Sequence, residues 1–99
     1  MADDVWQADF LAFVEAIRAR DTTLSPLAAG IVAAVFQGIS ADSRSFAKLF
    51  GIAHALVLRE INMLSGPDAP LEIIRRETRT QRTHIKLTVK GEALCRLIP

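Results

Sequence analysis

Cysteine is almost absent: Cys95 is the single one in 99 residues. It has no partner for an internal disulfide, and one sulfur cannot build a thiolate zinc site, so packing has to hold the fold. Long apolar runs are missing as well. None approaches the roughly 18 to 20 residues that a membrane span needs, and the opening Met1-Ala2-Asp3-Asp4 is acidic where a secretion signal is basic. The chain is expected to stay in the cytoplasm. Five glycines and four prolines are too few for a collagen-like or low-complexity chain, and 51% apolar residues argue against disorder. His54 and His84 lie thirty residues apart with no third ligand at a useful spacing, so no metal site is expected. No phosphate-binding loop or nucleophile elbow occurs, which leaves neither a cofactor nor a catalytic centre to expect. Ninety-nine residues suffice for one core, and a single domain over residues 1–99 follows.

What is present is a charge asymmetry. The net charge is only +1, yet residues 1–40 carry Arg18 and Arg20 against five carboxylates, and residues 41–99 carry ten cations against six. Most of the excess falls between 75 and 90, where Arg75, Arg76, Arg79, Arg82, Lys86 and Lys90 face Glu77 alone. A local basic strip is the footprint expected for a polyanion, although such a strip also serves as a solvated surface.

Apolar spacing supplies the elements. Trp6, Phe10, Phe13, Val14 and Ile17 follow the stripe of an amphipathic helix over residues 3–20, with Val5 and Leu11 on a second edge suited to a partner helix. Ser25-Pro26 reads as an N-cap and first turn of a second helix, through Leu27, Ile31, Val32, Val35 and Phe36 and ending near Gly38. Asp42 can cap a short third helix over 43–50, ended by Gly51, and a fourth from about 53 to 64 carries Val57, Ile61 and Leu64 inward. Two helices joined by a short glycine turn make a helix-turn-helix unit. After the turn-rich 65–70 the period changes to two, predicting strands over 71–77 and 83–88. The tip, 78–82, lacks glycine and proline, so a longer, mobile loop is expected rather than a tight two-residue turn. Thr88 can cap a final helix carrying Ala93, Leu94, Leu97 and Ile98. The predicted class is mainly α with a small β-hairpin, in the order ααααββα.

Three segments carry a resemblance. Leu24-Ser25-Pro26-Leu27, Phe46-Ala47-Lys48-Leu49-Phe50-Gly51-Ile52 and Leu87-Thr88-Val89-Lys90-Gly91 make residues 24–98 similar to the winged helix-turn-helix domain of the MarR family of bacterial transcription regulators. The resemblance implies a DNA-binding regulator, acting as a repressor, whose fourth helix enters the major groove while the hairpin wing reaches the minor groove or phosphates. It also implies a homodimer, here with residues 1–20 as a contact, residing on the nucleoid. The sequence departs from the family in its apolar Ala53-His54-Ala55-Leu56-Val57-Leu58, in the basic Arg79-Thr80-Gln81-Arg82 at the wing, and in stopping soon after the wing helix.

At about 100° per residue from Val57, Ala55, Arg59 and Asn62 stand opposite the buried stripe with Leu58 beside them. Arginine pairs with guanine, asparagine with adenine, and the apolar pair with thymine methyls or sugar carbons. His54, near the helix start, suits a phosphate or a packed imidazole. Arg44 and Ser45 lie where first-turn amides and a hydroxyl bind a phosphate oxygen. In the hairpin, Arg79 and Arg82 suit groove insertion, and Arg75, Arg76 and Lys86 suit backbone contact. The cations have no aromatic residues among them, which disfavours single-strand stacking. The alternative is a protein-interaction module of the same fold, with Leu56, Leu58 and Met63 as anchors. Cys95, beside Leu94 and Leu97, is expected to be a buried, inert thiol.

Overall fold

Capping chemistry and apolar spacing place the elements close to where the sequence predicts them. The computed structural model describes residues 2–98, and the side chains of residues 7–98. Helix α1 (Ala2–Arg20) buries Phe10, Val14 and Ile17 and leaves Leu11 on its open side. Val5 and Trp6, assigned to its two apolar edges, lie outside the described side chains. The Ser25 hydroxyl caps α2 (Pro26–Phe36) by accepting from the Ala28 amide at 3.0 Å, and Pro26 sits where a helix has no use for its missing N–H.

The seven residues 28–34 of α2 are all buried, so this helix is the axle of the domain. Its small alanines and Gly30 let neighbours approach closely, and it touches α1, α4 (His54–Leu64), α5 (Val89–Arg96) and strand β2 (Thr83–Leu87). Phe13 and Phe36 stack at 5.7 Å between the first two helices. Helix α3 (Ser43–Phe50) buries Phe46 and Ala47, and Gly51 ends it at φ 65°, a left-handed conformation that glycine adopts without strain. Helix α4 then turns Val57, Ile61 and Leu64 inward. Full burial of a side chain such as Ile61 contributes about 1.5–3 kcal/mol. The helix-turn-helix unit read from the spacing is therefore present, and the described residues form an α+β domain in the order ααααββα.

Strand β1 (Leu71–Arg76) pairs antiparallel with β2. Leu71, Glu72 and Ile73 face Leu87, Lys86 and Ile85, after which the register slips and Arg75 faces His84. Ile74 is the extra residue of this bulge and is 56% exposed. The slip decides which side chains face inward. It sets Arg76 opposite the buried Thr83, on the inner face of the hairpin, and turns Arg75 outward. The tip is longer than a two-residue turn, as expected, and is closed by hydrogen bonds. The Gln81 amide donates to Glu77 O at 2.9 Å, the Glu77 amide donates to Arg82 O at 2.8 Å, and Gln81 takes the positive φ of 61° that glycine would otherwise supply. A closed four-residue turn results.

Thr88 caps α5, its hydroxyl accepting from the Gly91 amide at 3.1 Å and donating to Ala69 O at 2.6 Å. Gly91 packs directly on Pro70, whose carbonyl also accepts the Thr88 amide at 3.0 Å. A Cβ at position 91 would stand 2.2 Å from that carbonyl oxygen. Cys95 is fully buried on the same helix, and burial pushes its thiol up to about 11. No described helix is long and apolar enough to cross a membrane.

Two expected outcomes follow from this packing. Gly91→Ala should lower stability by about 2–4 kcal/mol in urea unfolding, because backbone has to move to admit the methyl. Cys95 should resist a neutral alkylating reagent at pH 8 in the folded protein and react fully once unfolded in urea.

Candidate nucleic-acid interface

The wing is locked to the helix pair through one carboxylate. Asp42, the N-cap of α3, accepts from the Arg44 amide at 3.0 Å, the Ser45 amide at 2.9 Å and the Ser45 hydroxyl at 2.7 Å. Its remaining capacity goes to Arg82, whose Nη1 approaches at 2.9 Å. Burial alone would raise the pKa of Asp42 and is the largest single influence. The Ser45 amide and hydroxyl, Arg82 and the Arg44 amide together outweigh it and hold the carboxyl below its ordinary 3.8.

A second connection runs beside it. Ser43, fully buried, accepts the Thr83 amide at 2.9 Å and meets His54 Nε2 at 2.8 Å. Burial first, then Arg44, lower the His54 pKa from 6.5, with Arg82 adding to the effect and Asp42 opposing it. The Ser43 hydroxyl and His54 Nε2 share one hydrogen bond, with the donor set by the ring tautomer. Backbone bonds complete the joint: the Ile85 amide donates to Ala41 O at 3.0 Å, and Asp42 bridges to His84.

These contacts reassign several residues expected to meet phosphates. The first-turn amides of Arg44 and Ser45, and the Ser45 hydroxyl, are already occupied by Asp42, so they are not an open anion cradle. Arg44 directs its guanidinium to Thr80 O at 3.1 Å and steadies the wing tip. His54 is tied to Ser43. Arg82, expected at the tip for groove insertion, folds back onto Asp42 and also lies 4.0 Å from Glu77. Leu58, read as a groove contact or a protein anchor, is half-buried.

Other expected residues stay outward. Ala55, Arg59 and Asn62 are exposed along α4, and Arg75, Arg79 and Lys86 along the hairpin. Arg75 lies 3.8 Å from Glu77 and Lys86 lies 3.9 Å from Glu72, both in exposed pairs that water screens. Arg59 and Arg79 make no ion pair among the described residues. Arg76 links the two surfaces, donating from Nη2 to Asn62 Oδ1 at 2.8 Å and from Nε to Thr83 Oγ1 at 3.1 Å. Glu77 accepts from His84 Nε2 at 2.7 Å; that hydrogen bond first, against some desolvation, keeps its carboxyl below the usual range. The Arg76–Asn62 bond thus joins the exposed side of α4 to the hairpin.

The sequence reading missed the Ser43–Thr83 bond and the Arg82–Asp42 pair, each spanning forty positions with no periodic signal to announce it. Lys48, exposed one turn after Arg44, was legible as a cation at i+4 on the same side of α3. Leu56 and Met63 are 49% and 70% exposed, and their wheel positions put them on the flank of α4 away from Asn62 and the wing. Met63 there borders the 21–25 loop, where Ser25 donates to Glu60 at 3.2 Å.

Asp42→Ala should destabilise the domain by about 1–2 kcal/mol at pH 7, from the lost cap. Because the folded pKa lies below the unfolded one, this contribution is fully present above pH 3.8 and fades as pH falls through the folded value. Urea midpoints of the two proteins should therefore draw together as pH falls below 3.8. No protein-family model, curated protein or solved structure matches this chain, so the role of this face rests on its own residues.

Proposed function

We propose that the protein binds duplex DNA and regulates transcription, as a repressor that occupies its site. In this reading α4 enters the major groove and the hairpin lies along the adjoining backbone or minor groove. The observation that carries it is the Arg76–Asn62 hydrogen bond, which joins the exposed side of α4, where Arg59 also stands, to a basic hairpin whose Arg75 and Arg79 are exposed. Between residues 73 and 91 that basic strip contains one carboxylate, Glu77, already engaged by His84. The guanidinium groups of Arg59 and Arg79, which make no ion pair among the described residues, supply phosphate or base contacts.

The fixed wing matters to affinity. A hairpin held by Asp42, Ser43 and Arg44 loses little conformational freedom on docking, so less of the electrostatic attraction is spent on ordering it. A homodimer, with residues 1–20 in the contact, would double the footprint. Leu11, 60% exposed beside an apolar hollow of about 310 Å³ walled by Leu27, Phe46, Phe50 and Ile52, supports that placement. Residence on the nucleoid follows from the same reading. The exposure of Leu56 and Met63 favours a second reading, a protein-interaction module using that flank of α4.

A salt series of binding to random duplex DNA by fluorescence anisotropy tests the proposal. The log-log slope should be about −4 or steeper, and Arg79→Ala should weaken binding on every sequence and reduce the slope by about one. Absence of binding at about 50 mM salt and micromolar protein overturns the DNA reading. Met63→Asp should leave DNA affinity within twofold; loss of a protein complex with DNA affinity intact would instead support the interaction module.

A further inference from the structure

Arginine has no acceptor, so the 2.8 Å contact from Arg76 Nη2 fixes the orientation of the Asn62 amide: Oδ1 points to Arg76, and Nδ2 with its two hydrogens points away. Arg76 is itself held, because its Nε donates to Thr83 Oγ1 and Thr83 is fully buried. The β-bulge at Ile74 is what brings Arg76 to this inner side of the hairpin. A side chain usually able to donate and accept is thereby presented as a donor beside a positive charge. Arg59, one turn earlier on the same face of α4, is also a donor without acceptor capacity.

We infer that Arg76 makes Asn62 a guanine reader, so that α4 presents a face of hydrogen-bond donors only and selects the acceptor edge of guanine in duplex DNA. The inference rests on the DNA-binding reading of α4. In the major groove, guanine offers two adjacent acceptors, N7 and O6, whereas adenine pairs one acceptor with the N6 donor and cytosine offers the N4 donor. Asparagine normally reads adenine by accepting from N6 while donating to N7. Here Oδ1 is engaged, and the guanidinium beside it repels a further donor. Two Nδ2 hydrogens and the free Arg76 hydrogens remain, and they complement O6 and N7. Arg76 is thus a positioning residue acting through Asn62, in place of the phosphate contact expected from the sequence.

Binding-site selection from a randomised duplex pool, with the full chain, tests this. The wild type should enrich guanine over adenine about tenfold at a position whose preference disappears in Asn62→Ala. Arg76→Met frees Oδ1 and should move that same position toward adenine, while Arg76→Lys, which keeps a donor and a charge, should retain guanine. Matching urea midpoints for the variants would exclude unfolding as the cause, and a change of base identity is a readout that lost stability does not produce. Adenine in the wild type, guanine retained by Arg76→Met, a motif unaltered by Asn62→Ala, or salt-dependent binding without base preference would each overturn the inference and leave DNA binding standing. No binding to the unselected pool would overturn both.

Discussion

The hydrogen bonds and ion pair gathered on Asp42 hold the hairpin to the helix pair, because they join two parts of the chain that have no covalent reason to be neighbours. A single carboxylate closes the first turn of α3 and also receives Arg82 from the tip end of the hairpin. The pair is half-buried, and what Arg82 adds beyond stability is geometry, since it ties the hairpin to the α3 cap. Ser43 and His54 stiffen the same joint from inside. Ser43 and Thr83 are fully buried, and burying them is tolerable because each is satisfied, Ser43 by Thr83 and His54 and Thr83 by Ser43, Gln81 and Arg76. Orientation of the wing is therefore a property of the core edge, not of a free loop.

Behind that joint stands α2. Seven consecutive buried residues, mostly alanine and β-branched, form a helix thin enough for α1, α4, α5 and β2 to pack around it. Small side chains carry a cost in buried area per residue, which larger neighbours such as Phe46, Ile61 and Leu71 offset. The N-terminus of α2 is linked in turn to α4 through Ser25 and Glu60. One face of α4 is thus fixed by the core and the Ser25 contact, and the other by Arg76, leaving its outward residues little freedom to rotate. Such pre-organisation is what a recognition surface needs, since interactions made by mobile groups lose part of their energy to ordering.

The outward face divides by chemistry. Toward the wing it is cationic and donor-rich, through Asn62, Arg76 and the hairpin arginines; toward the 21–25 loop it is apolar, through Leu56 and Met63. These sides meet on one helix, and Arg59 lies between them on the wheel. A duplex engaged by the first side would leave the second open to protein, so the two readings of α4 describe adjoining surfaces.

Local chemistry made the fold readable. Ser25-Pro26, Asp42, Gly51 and Thr88 each satisfy or terminate a helix end with atoms from their own vicinity, and the apolar periods of three to four and of two follow directly from where the core lies. The sequence by itself thus determined the element order, the helix ends and the presence of a basic hairpin. Tertiary structure decided which cations stay free. Arg82 and Arg79 are alike in the sequence, three positions apart in one loop, yet one reaches Asp42 forty residues away and the other has no such neighbour. The bulge at Ile74 decided likewise that Arg76 meets Asn62 while Arg75 faces water. Charge is written in the residue type, but its availability depends on partners that only folding brings within about 3 Å.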